Sequence, residues 1–121
     1  MGKTNKTQGT EIEKAPGFAK NPDKILEFES SPRRIRIKFN EKVVVDSINV
    51  MLMREGGHVP VLYFPMKDVR MDLFVPTHHS THCGYKGDAS YWTVSVGNRT
   101  EENVMWSYRN PYYEMRSIKD Y

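Results

Sequence analysis

From residue 33 onward the chain alternates polar and apolar side chains, the spacing of strands with one wet face and one dry face. Arg33, Arg34, Arg36 and Lys38 interleave with Ile35, Ile37 and Phe39, and Asn40-Glu41 supplies a two-residue turn before Val43, Val44 and Val45. This pattern predicts a hairpin over residues 33–47. Val50 and Leu52 against Met51 and Met53 predict a further strand, Gly56-Gly57 breaks it, and residues 59–64 resume a β-rich run. Residues 90–96 set Tyr91, Thr93 and Ser95 against Trp92, Val94 and Val96, and Gly97-Asn98 turns the chain. In the last run Val104, Trp106 and Tyr108 share one face, which predicts a buried Trp106. Short links between such strands make an antiparallel meander and a mainly β chain.

Three stretches break the alternation. Met66, Val69 and Leu73 recur at helical spacing behind Pro65, so one short helix is expected over residues 65–73. Residues 77–87 are polar on both sides and read as a loop. At the start, MGKTNKTQGTEIEK has too little apolar surface to offset its ordering entropy. Residues 1–17 are therefore expected to form a flexible arm and residues 18–121 a single domain, a length that buries a real core without a staple.

Composition narrows the function classes. With 18 basic and 15 acidic residues the net charge is only +3, a weak steering field, and the basic run at 33–38 reads as a solvated strand face. Nucleic acid is not expected as a partner. The single cysteine excludes an intrachain disulfide and a multi-thiolate site, pointing to a reducing compartment. No apolar run of about 18 residues or signal-peptide core is present, so the expectation is a cytoplasmic protein with no membrane partner.

The ordered motifs Tyr63-Phe64-Pro65-Met66-Lys67-Asp68-Val69, Cys83-Gly84-Tyr85-Lys86-Gly87-Asp88-Ala89-Ser90-Tyr91-Trp92 and Trp106-Ser107-Tyr108 with Pro111 closely resemble domain of unknown function 427 (DUF427). That family is also carried under a nucleotidyltransferase label. The resemblance implies a compact tent-like (Mss4-like) fold, two small antiparallel sheets meeting at an angle, similar to methionine sulfoxide reductase B. Tent domains pinned by zinc use paired Cys-x-x-Cys motifs. Those pairs are missing here, so the resemblance carries no metal and the aromatic core must replace it. Relatives usually place proline where Gly84 stands, which implies a looser loop. They also continue past the position of Tyr121 with an aromatic strand, so either the sheet edge is shorter here or the chain is truncated.

The sharpest chemistry sits in the loop 83–87. Lys86 beside Cys83 would favour a thiolate, and Gly84 and Gly87 let a ligand approach the backbone. The competing reading of Cys83 is a packed thiol. Asp68, inside the first motif, is either a turn cap or a catalytic carboxylate, and Glu55 is a second candidate base. His78 and His82, four apart, would share a helical face toward zinc or copper, but Thr77, Ser80 and Thr81 disfavour a helix and no metal ligand is assigned. Tyr63, Tyr85, Tyr91, Trp92, Trp106 and Tyr108 cannot all be core, because Tyr91 and Trp92 point to opposite faces.

The leading expectation is a binding module for a small molecule. Tyr63, Tyr85, Lys86, Gly87, Trp92 and Trp106 would contact the ligand in a groove between the sheets. The first alternative is an enzyme using Cys83 or Lys86 with Asp68 or Glu55, and the second an interaction domain with an exposed strand edge. Nothing supports a nucleotidyltransferase: there is no phosphate-cradling glycine loop and no carboxylate pair placed for two magnesium ions. Residues alone identify no cofactor, ligand or oligomeric state.

Overall fold

Eight strands form three small antiparallel sheets in the computed structural model, which describes residues 12–121. The strands are β1 (Leu26–Ser30), β2 (Ile35–Phe39), β3 (Lys42–Ser47), β4 (Met51–Glu55), β5 (Val61–Tyr63), β6 (Phe74–Cys83), β7 (Gly87–Val96) and β8 (Arg99–Ser107). Their orders are β1-β4-β5, β2-β3 and β6-β7-β8. The sheets therefore number three, where the resemblance implied two. The β2–β3 hairpin stands as its own sheet, tied on by a bridge between Val45 and Val69 and by the Arg70 amide, which donates to Val44 O at 2.8 Å.

The hairpin forms where the alternation predicts it. Asn40 and Glu41 both have positive φ, 48° and 70°, the turn geometry whose twist matches that of the flanking strands. Asn40 Nδ2 then donates to Val96 O at 2.7 Å, which anchors the hairpin tip on the end of β7.

Strand β7 is the partition of the molecule. Ala89 and Tyr91 face one core with Met53, Tyr63, Tyr108, Met115 and Ile118. Trp92 and Val94 face the second, with Val44, Val45 and Phe74. Period-two geometry on one central strand thus serves two separate clusters.

Three expectations need correction. Residues 65–73 are two single turns of 3-10 helix, Met66–Asp68 and Met71–Leu73, separated by extended Val69. The loop expected over 77–87 is largely strand β6, followed by a tight turn into β7. Its alternation is hidden because β6, after buried Phe74, is an edge strand exposed on both faces, and a register shift follows Pro76, which cannot donate to the ladder. Trp106 is not buried: it and Val104 are 41% and 49% exposed on edge strand β8.

Residues 1–11, most of the expected arm, lie outside the described part. The described chain packs from Glu13 on: its carbonyl accepts from the Tyr113 amide at 2.7 Å, and the Ala15 amide donates to Glu114 Oε1 at 2.8 Å. The short helix α1 (Pro16–Lys20) follows, and the Gly17 amide donates to Gly84 O at 2.8 Å. This places the N-terminal segment against the β6–β7 turn.

Candidate functional site

The ends of β4, β5, β7 and β8 converge on a cleft of about 470 Å³ beneath the β6–β7 turn. Glu55 closes β4, Tyr63 closes β5, and Tyr91 and Trp106 are opposed across β7 and β8. Tyr108 follows β8, and Lys86 reaches in from the turn. The Tyr91 and Trp106 rings lie 6.3 Å apart, forming an aromatic wall. Tyr91 is further fixed by its hydroxyl, 2.9 Å from Thr81 Oγ1, and by the His79 ring at 4.5 Å.

The charged end of the cleft is Glu55 paired with Lys86, and Lys24 holds the other carboxylate oxygen from outside the cleft, beside Tyr85. Lys86 Nζ donates to Glu55 Oε1 at 3.3 Å, and Lys24 Nζ lies 3.1 Å from Oε2. Burial raises the Glu55 carboxyl pKa, but hydrogen bonding and charge from Lys24 and Lys86 outweigh it and hold the group below the usual carboxylate range. Two cations against one anion leave the Lys24–Glu55–Lys86 cluster net positive, with only Lys86 and Glu55 lining the cleft. The Lys86 side chain is only 12% exposed, and its ammonium lies 5.9 Å above the Tyr108 ring. Burial pushes the Tyr63 hydroxyl up to about 12, opposed in part by hydrogen bonding to Trp106, and burial also pushes Tyr108 up. Both phenols stay protonated at neutral pH and remain hydrogen-bond donors.

The cleft brings together four residues singled out from the sequence, Glu55, Tyr63, Lys86 and Trp106, with Tyr91 and Tyr108. Others lie elsewhere. Trp92 is sealed in the second core, because it is one position out of phase with Tyr91. Tyr85 points away from the cleft, edge-on to Phe18 at 5.0 Å and accepting from Asn21 Nδ2 at 3.2 Å. Gly87 is buried with φ 118°, and a Cβ there would come 3.3 Å from Asn110 O, so it serves the turn. Cys83 packs against the first core. Asp68 accepts from Ser47 Oγ at 2.6 Å and ties the first 3-10 turn to β3.

The histidines sit on strand β6, which removes the shared helical face. His82 Nδ1 lies 2.7 Å from Asp88 Oδ1, and no cluster of three metal-binding side chains forms among the described residues. Sequence reasoning missed Lys24, His58 and Asn103. Lys24 stands in a turn-rich segment 31 residues before Glu55, and nothing local signals that pairing.

Chemically, the cleft offers aromatic faces, neutral phenol donors and one ammonium, Lys86, paired with Glu55. That combination suits a planar or sugar-like body carrying an anionic group. No helix among the described residues is long and apolar enough to cross a membrane. No curated protein matches the chain. Residues 27–121 match the family model of the domain of unknown function DUF427, and the chain belongs to that family.

Proposed function

We propose that this domain is a binding module whose cleft takes a small planar or sugar-like molecule with one anionic group. The observation that carries the reading is Lys86, held by Glu55 at one end of an aromatic-walled cavity, with Lys24 offsetting the Glu55 charge from outside it. An ammonium offers three donors, and Glu55 occupies one of those on Lys86, leaving donors for an incoming carboxylate or phosphate. Such a contact contributes roughly 1.5–3 kcal/mol, and stacking on Trp106 or Tyr91 adds to it.

A catalytic reading draws on the 3.3 Å contact between Lys86 and Glu55, just beyond the roughly 2.6–3.2 Å over which a proton passes directly. It is the weaker reading, because a carboxylate held below its ordinary pKa is a poor base. The test is a thermal-shift screen with nucleotides, sugar acids, sugar phosphates and aromatic carboxylates. A ligand at a hundredfold excess over its Kd stabilises by about 2.7 kcal/mol. An anionic hit that Lys86→Ala abolishes supports the module, whereas turnover of a hit supports the enzyme. A screen in which neutral and anionic members behave alike contradicts both.

A further inference from the structure

A second cavity, about 250 Å³, opens between the β2–β3 hairpin and the free edge of β8. Its floor is apolar: Phe39, Val45, Phe64, Met71, Phe74 and Met105 all line it. Among its lining residues Ile37, Leu62, Val104 and Trp106 are between 38% and 49% exposed, four large apolar side chains partly open to water. Protein interiors close-pack, and a dry cavity of about 150 Å³ already holds a benzene ring, so this space is too large for a packing defect. Scaled from that case, it fits an apolar body of about ten carbon atoms.

The cavity shares two walls with the cleft, Tyr63 and Trp106. The apolar lining and the Lys86 ammonium therefore adjoin the same aromatic pair. Three flexible methionines, Met66, Met71 and Met105, line the apolar side and adapt to an irregular shape.

We propose that the two cavities are subsites for one amphipathic ligand, a carboxylic acid whose apolar body, bicyclic or branched, fills the space under the hairpin while its carboxylate reaches Lys86. This rests on the cleft reading above and narrows its ligand class. A neutral hydrocarbon would leave Lys86 unused, and a sugar would leave the apolar floor unfilled.

The probe is 2-naphthoate, titrated into the full chain carrying isotope-labelled methionine methyl groups, with 2-naphthalenemethanol as the neutral control. Saturable binding should shift the Met71 and Met105 methyl signals, which report the apolar cavity. Met53, which lines the cleft and not this cavity, reports the other side. Leu62→Trp, a change at the exposed rim, should weaken naphthoate at least tenfold, and Lys86→Met should weaken it about tenfold without affecting the neutral alcohol. Shifts at Met53 alone, unaffected by Leu62→Trp, would overturn this inference and leave the cleft reading standing. Shifts at Met71 and Met105 with no effect of Lys86→Met would overturn the shared-ligand inference and leave the cleft reading standing. No saturable shift at any methionine would overturn the inference outright.

Discussion

Lys86 lies 3.3 Å from one oxygen of Glu55, and Lys24 lies 3.1 Å from the other. The carboxylate is therefore a hub joining the segment before β1, the end of β4 and the β6–β7 turn. Its depressed pKa fixes the sign of a pH effect. The folded state holds Glu55 ionised below the unfolded value of about 4.3, so the stabilisation is complete above that value and disappears as pH falls through the folded pKa. We expect the denaturant midpoint to drop in this acid window and the drop to shrink in Glu55→Gln. An unchanged pH profile in the variant would place the clamp outside the energetics of folding.

Tyr63 acts at the other end of the pH scale. Its folded pKa of about 12 exceeds the unfolded value of about 10, so the unfolded chain loses its proton first. Its contribution is full below pH about 10 and is lost as pH rises toward 12. Phenolate absorbance should show at least one tyrosine titrating well above its neighbours. Tyr63→Phe should soften the alkaline loss of stability.

Two tryptophans should behave oppositely. Trp92 is 4% exposed and packs with Val44, Val45 and Phe74, so Trp92→Ala should cost about 3–5 kcal/mol. Trp106, at 41% exposure, should cost about 1 kcal/mol while removing a wall of the cleft. Denaturant midpoints of the two variants decide this, and equal losses would contradict the assigned burial.

Gly17 and Gly84 meet where the N-terminal helix crosses the β6–β7 turn. A Cβ on Gly17 would lie 2.7 Å from Gly84 O and 2.8 Å from Tyr85 Cδ1, whereas one on Gly84 would meet nothing nearer than 3.7 Å. Gly17→Ala should therefore destabilise by about 1–3 kcal/mol, and Gly84→Ala should be neutral or stabilise by about 0.4–1 kcal/mol. Thermal unfolding of the pair checks the crossing.

The hairpin, the strands around it and the opposite facing of Tyr91 and Trp92 were legible because they rest on period two and a two-residue turn. Strand β6 was not legible, since an edge strand wet on both faces carries no alternation. The same limit misplaced Trp106: alternation tells which residues share a face, not whether a neighbouring sheet covers it. In the site, Glu55, Tyr63, Lys86 and Trp106 were named in advance and meet in one cleft. Lys24 was invisible, because its pairing with Glu55 is made by the docking of the N-terminal segment and leaves no local pattern.

The most direct test of the central claim is one variant measured two ways. Lys86→Ala leaves Glu55 paired with Lys24 but removes a largely covered stem over Tyr108, so its unfolding free energy should fall by about 1–2 kcal/mol. Its affinity for an anionic aromatic such as 2-naphthoate should fall by about 1–3 kcal/mol, roughly five- to over a hundredfold in Kd. Binding lost with folding kept is the predicted result. A large loss of stability with affinity unaltered would show that Lys86 serves the fold and would contradict the binding cleft.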